Sequence, residues 1–232
     1  MSMVRQLLDP NDGALSYLFA DPVTRRAALI DPMSGNRPAI ERLLRGLGLQ
    51  LEYVVATHRH DEDWPEGRYY RSVTGARLAA HEASPSTQRD LPLRDGDCLY
   101  IGEETLDILY APGHTPCSLW LRNRECLWVG DTLYVGGVAA MQGPEADLPV
   151  LYESISNGIY SLADDTLIYP AHAVAGRRIS TVAQERDTNR DLPAGRSFEQ
   201  FIRTFPAAGD EWGPYHAHYD VQPNAAGESQ RS

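Results

Sequence analysis

The chain has 232 residues, 42% of them hydrophobic and 23% charged, with a formal charge of −11. That composition is globular and long enough for one sizeable core, and it is too acidic for nucleic acid or an anionic membrane surface as a partner. All 21 basic residues are Arg, so Schiff-base chemistry, a pyridoxal-phosphate lysine and a phosphate-loop lysine are excluded. Cys98, Cys117 and Cys126 include no C-x-x-C pair, which argues against a disulfide framework or a thiolate zinc site. The N-terminus lacks the apolar core of a signal peptide and no segment is long enough to span a bilayer. A soluble, cytoplasmic protein with a small-molecule substrate is expected, and a homodimer is compatible with these bounds.

Short apolar runs over 4–8, 15–20 and 27–30, separated by Asp9-Pro10-Asn11-Asp12-Gly13 and Asp21-Pro22, predict antiparallel strands. Ile40, Leu43, Leu44 and Leu47 are at helical spacing within 38–47, and Gly48 supplies a stop before a strand over 51–56. Beyond it we expect a short helix over 65–73 and strands over 76–80, 98–101 and 105–111. A hairpin follows over 118–122 and 125–129, then a helix over 151–162, a strand over 166–169, helices over 177–188 and 198–205, and an irregular tail from 209. With no low-complexity linker, residues 1–232 read as one domain of α/β (α+β) class. Runs of strands covered by helices favour two stacked sheets over a doubly wound parallel sheet.

The strand over 51–56 delivers Thr57-His58-Arg59-His60-Asp61-Glu62-Asp63, seven residues with two imidazoles and three carboxylates. Histidines at i and i+2 on an extended segment face the same way, and imidazole with carboxylate suits zinc, iron or manganese. Three further strands end in a potential ligand: Pro112-Gly113-His114-Thr115-Pro116, Gly130-Asp131-Thr132 and Tyr169-Pro170-Ala171-His172. Each alone is a weak signal; their shared position at strand ends makes them a set. Cys117, next to that His114 turn, is read as a small buried thiol. The tail aromatics Trp212, Tyr215 and Tyr219, with His216 and His218, are read as packing on the sheet.

In this order of motifs the chain resembles the metallo-β-lactamase-fold superfamily, whose pattern is H-x-H-x-D-H, a single His, a bridging Asp and a last His. It is most similar to the persulfide dioxygenase branch, with the glyoxalase II thioester hydrolases as relatives. The likeness includes Arg5-Gln6-Leu7-Leu8-Asp9, Ala111 through Pro116, Tyr169 through His172, Gly176-Arg177 and Ser180 through Arg186. It implies an αββα sandwich with a metal in a groove at its edge. It also implies one Fe(II) held by His58, His114 and Asp131, with His60 as a further ligand or orienting group, Zn or Mn being the other metals such a set accepts. Oxidation of a persulfide's terminal sulfur by dioxygen, releasing sulfite and a thiol, is the implied activity.

The departures from the pattern are specific. Glu62 and Asp63 stand where the family has Asp and His, so a second site built with His172 loses an imidazole. Gly136-Gly137-Val138-Ala139-Ala140-Met141-Gln142 lacks the family's Arg, its Tyr is Val174, and its N-P-R-L is Asn189-Arg190-Asp191-Leu192. The groups that would hold glutathione are mostly missing, leaving Arg177 and Arg190 as candidates to hold substrate. A metal-dependent thioester or ester hydrolase, and a metal-binding module without catalysis, are the alternative readings.

Overall fold

The computed structural model describes residues 2–58, 63–139 and 146–204. The first half builds one six-stranded sheet from β1 (Met3–Leu8), β2 (Leu15–Asp21), β3 (Arg26–Ile30), β4 (Gln50–Val55), β5 (Arg77–His81) and β6 (Leu91–Leu93), in that spatial order. Between them come α1 (Arg37–Leu47) after β3 and α2 (Pro65–Thr74) after β4. β1, β2 and β3 are antiparallel as expected. From β3 to β6 the strands run parallel, with α1 and α2 as the crossover connections from β3 to β4 and from β4 to β5, and a loop without a helix joining β5 to β6.

The second half builds a matching sheet from β7 (Cys98–Ile101), β8 (Glu104–Tyr110), β9 (Leu119–Asn123) and β10 (Cys126–Gly130), then a small hairpin of β11 (Leu133–Tyr134) and β12 (Gly137–Val138). α3 (Leu148–Glu153), β13 (Leu167–Pro170), β14 (Ser180–Thr181), α4 (Val182–Thr188) and α5 (Phe198–Thr204) complete it. Its order is β14-β13-β10-β9-β8-β7.

The pleat sorts side chains into layers. Leu15, Tyr17 and Phe19 of β2 enter the core between the sheets, with Leu106, Ile108, Leu121, Trp128 and Tyr169 opposite. Leu18 and Ala20, one residue out of phase, pack outward against Ile40 and Leu44 of α1 and Tyr70 of α2. On the far side Leu127, Val129 and Ile168 face Leu151, Val182 and Phe201 of α3, α4 and α5. Helices, two sheets and helices make the expected αββα sandwich, and β2 is buried on both faces.

Some boundaries differ from expectation. Residues 177–181 are not helical: Ser180 pairs with Ile168, and the Thr181 hydroxyl accepts from Gln184 N at 3.2 Å, capping a helix that starts only at Val182. The helix expected over 151–162 begins earlier, at Leu148, where Asp147 caps it through Val150 N. It then widens to a π turn over Ser154–Gly158 and tightens over Ile159–Ser161. The tail from 205 lies outside the described residues.

Candidate active site

Four loops at one edge of the sandwich carry the side chains singled out by sequence. His58 follows β4, where its neighbour Thr57 is bound twice by Asp31: Thr57 N donates to Oδ1 at 2.8 Å and the hydroxyl to Oδ2 at 2.6 Å. Thr57 Oγ1 is also 2.9 Å from His58 Nδ1. The single hydroxyl proton is given to the carboxylate, so Nδ1–H of His58 is the donor in that contact, and in the neutral ring this leaves Nε2 unprotonated and able to bind a cation. Asp31 does this from a left-handed conformation, φ 45°, which Asp tolerates better than most residues. Neither Asp31 nor this use of Thr57 was read from sequence. The only signal was the Asp31-Pro32 stop after a strand.

His114 is on the turn after β8. Gly113 there has φ 133°, and a Cβ on it would lie 2.5 Å from the Leu151 backbone of α3, so only Gly lets this loop rest on the helix. Tyr110 OH donates to Pro116 O at 2.9 Å and Ser154 Oγ to Pro112 O at 2.8 Å, fixing the turn at both ends. Cys117 is buried within it, in line with a packing role. Asp131 follows β10 directly, and its neighbour Thr132 accepts from Trp120 Nε1 at 3.0 Å. Gly130 has φ 55°, and a Cβ there would stand 2.4 Å from Thr57 Oγ1; its absence lets the Asp131 turn approach Thr57. His172 follows β13, held by Leu15 N donating to Ala171 O at 2.7 Å and Ala173 N to Gly13 O at 3.0 Å. A third bond between the sheets, Leu119 N to Thr57 O at 2.7 Å, closes the same edge.

These side chains converge on one carboxylate. Nε2 of His58 and of His114 are 3.5 and 3.6 Å from Asp131 Oδ2, and Nε2 of His172 is 3.7 Å from Oδ1. The His58 and His114 rings meet edge to face at 5.7 Å. Burial alone would raise the Asp131 carboxyl, but positive charge on the facing His58, His172 and His114 rings outweighs it and holds the group well below the usual carboxylate range. Burial lowers His114, against the pull of Asp131, and so favours the neutral imidazole.

A metal is implied by this donor chemistry, and the residues fit one. Asp131 Oδ1, which faces the cluster, is buried without a hydrogen-bond partner among the described residues. Among those residues the donors do not form a group of three or more that would hold an ion as it stands. Their separations of 3.5–3.7 Å are nevertheless too long for hydrogen bonds. They are close to the roughly 3.0–3.4 Å between two donors that each stand about 2.1 Å from one ion, so a contraction of a few tenths of an ångström would complete the set.

The remaining candidates fall elsewhere. His60 and Glu62 lie outside the described residues. Asp63 is exposed, 3.7 Å from Arg68. Arg177 donates through Nη2 to Val135 O, between β11 and β12, at 3.1 Å, and Arg190 through Nε to its neighbour Asp191 at 3.0 Å. Ala140, Met141 and Gln142 lie outside the described residues, whereas Val174 is buried in a tight turn with Arg177.

No family model matches the chain. It is 33% identical over 203 residues to the human mitochondrial persulfide dioxygenase ETHE1, covering 87% of this chain and 79% of that protein. It is 31% identical over 179 residues to the hydroxyacylglutathione hydrolase of Polaromonas sp., covering 74% and 67%. The fold superposes on the crystal structure of ETHE1 from Myxococcus xanthus with a TM-score of 0.82 at 29% identity, covering 88% of this chain and 92% of that one.

Proposed function

Because the chain belongs to the metallo-β-lactamase-fold superfamily, in the branch that holds the ETHE1 persulfide dioxygenases and the hydroxyacylglutathione hydrolases, we propose that it is a persulfide dioxygenase-like enzyme with one Fe(II). The observation that carries this reading is the pairing of His58 and His114 with a single oxygen, Oδ2, of the buried Asp131. Two imidazoles and one carboxylate make a facial set that leaves neighbouring positions open, and iron in such a set supplies redox chemistry with dioxygen together with affinity for sulfur. Thr57 fixes the His58 tautomer so that Nε2 faces the site. Burial pulls the His114 ring towards its neutral form, the state an ion requires. Packing of Gly113 on α3 and of Gly130 on Thr57 holds the ligand turns in register, so that little ordering is left for the moment of binding.

The substrate we assign is a small persulfide rather than glutathione persulfide. Arg177 and Arg190, the cations closest in sequence to the family's substrate contacts, are bonded to the protein itself, and Val174 and Asp191 replace groups that would hold a peptide carrier. A small molecule is thus the expected partner, with neither nucleic acid nor membrane involved, and no described helix is long and apolar enough to cross a bilayer.

A hydrolase of a thioester or related ester is the second reading. It is favoured by His172, which faces the other oxygen of Asp131, so that Asp131 and His172 would hold a second ion; ions held there would supply Lewis acidity and an acidified water. Metal analysis of protein purified without added metal, with oxygen uptake on small persulfides, separates the two. About one iron per chain with saturable uptake is expected. Two zinc ions per chain without oxygen uptake would replace the dioxygenase reading by the hydrolase, and a folded, metal-free, inactive protein would overturn both.

A further inference from the structure

The four side chains of the cluster are not equally covered. His58, His114 and Asp131 are 11–13% exposed, whereas His172 is 26% exposed, so the cluster meets solvent on the His172 side. Tyr134 of β11 stands there. Its ring is edge-on to the His172 ring at 5.7 Å, and the residue is only half-buried, which leaves part of it at the surface beside that opening. Tyr134 has little room to swing aside, because the turn that follows it, between β11 and β12, is held at five polar groups by residues 177–191. Val135 O accepts from Arg177 at 3.1 Å, and the guanidinium lies so close that a Cβ on Gly136, φ 80°, would stand 2.8 Å from Nη2. Gly136 N donates to both oxygens of Glu185 at 3.1 and 2.9 Å, and Val138 N to Asp191 Oδ2 at 3.0 Å. Gly136 O accepts from Arg190 N at 3.1 Å and Gly137 O from Asn189 Nδ2 at 3.2 Å. Glu185 is fully buried, with Ser180 Oγ at 2.5 Å and Asn189 Nδ2 at 2.7 Å completing its shell. Moving the turn would strip a buried carboxylate of hydrogen bonds, which is costly.

We infer that Tyr134 is a specificity-determining residue, a fixed aromatic lip on the open side of the cluster that admits a slender thiol carrier and turns a peptide-sized one away. The inference deepens the reading of this cluster as the site that binds a small persulfide, and it rests on that reading. A loose wall would yield to a larger carrier, whereas a wall braced at five points leaves the misfit to the carrier. Pocket fit separates substrates that differ by a single methylene by about 10–200-fold.

The test compares wild type with Tyr134→Phe and Tyr134→Ala, each checked for folding by circular dichroism. Oxygen uptake gives kcat/KM for ethyl persulfide and for glutathione persulfide. Calorimetric titration of the Zn(II)-loaded proteins with ethanethiol and with glutathione gives a second size ratio, one that needs no turnover. Tyr134→Ala should shift both ratios towards the glutathione compound by about 10-fold or more, whereas Tyr134→Phe, which keeps the ring, should hold the wild-type ratios. A merely structural role for Tyr134 would weaken both compounds alike and leave the ratios unchanged, which would overturn the inference, as would a Phe variant that shifts as far as the Ala variant. If Tyr134→Ala does not fold, Tyr134→Leu takes its place with a shift in the same direction. Wild type that takes up no oxygen with either persulfide would overturn the dioxygenase reading, and the thiol ratios would still decide this inference. Wild type that binds neither thiol would overturn the inference itself.

Discussion

Replacing Thr57 by Val keeps shape and removes one hydroxyl, so it isolates the bridge between Asp31 and His58. Thr57 is 1% exposed and Asp31 4%, so no solvent is at hand to take over the lost bonds. The hydroxyl donates to a carboxylate at 2.6 Å, and a hydrogen bond to a charged group contributes about 1.5–3 kcal/mol; the Thr57 N bond to Asp31 Oδ1 remains. Taking about 2 kcal/mol, and about 2–4 °C per kcal/mol for a chain of this size, the melting temperature should fall by roughly 4–8 °C. His58 Nδ1 also loses its acceptor, freeing the tautomer and ring orientation, so metal affinity should fall about 10–100-fold. Thr57→Ser keeps the hydroxyl and loses a methyl group, about 0.8 kcal/mol; its melt should drop by roughly 2–3 °C and its metal affinity should stay near wild type. Calorimetric melts and metal titrations of both variants provide the assay. A Thr57→Val protein with wild-type melting and affinity, or a Thr57→Ser protein as impaired as the Val variant, would refute the bridge.

His114→Ala should lose iron and turnover together, whereas His172→Ala should retain iron with activity lowered about 10–100-fold; equal loss in the two, by metal analysis and oxygen uptake, would point to a dinuclear site. Gly113→Ala should destabilise by more than about 2 kcal/mol, since its φ of 133° strains an L-residue and its Cβ would sit 2.5 Å from Leu151 Cα; a denaturant midpoint equal to wild type would contradict the close approach. Asp21 is held down to about 2 by the Thr24 hydroxyl and by Glu103 N and Val23 N. A depressed folded-state value gives stability that is present above the unfolded value near 3.8 and lost as pH falls towards 2. Asp21→Asn should therefore flatten the acid limb of the stability profile between about pH 4 and 2, and an unchanged limb in acid titration melts would count against it.

The strands that were legible in sequence are apolar runs of four or more residues bounded by turn residues, as in β2, where odd and even residues go to different cores. β6, β11 and β12 have three residues or fewer and include Pro92 and Gly137, so no period could emerge. Residues 177–181 carry helix-compatible side chains, and only pairing with β13 makes Ser180 and Thr181 extended. The convergence of His58, His114, Asp131 and His172 was legible because these side chains follow strand ends. Asp31 and Glu185 were not, because each acts on backbone far along the chain, 26 and 49 residues away, and a lone carboxylate in sequence gives no hint of such a partner.

His58 stands on the edge of one sheet, while His114, Asp131 and His172 all come from the other. The cluster is thus a gauge of alignment between two separately built halves: sliding one sheet past the other by a single strand position, about 3.3 Å, would carry His58 out of reach of the other three. The backbone bonds Leu119 N to Thr57 O, Leu15 N to Ala171 O and Ala173 N to Gly13 O act as dowels across that seam. An ion seated there would clamp the same joint from within, so chelation should make the two halves part more readily under denaturant or mechanical load than either sheet frays alone.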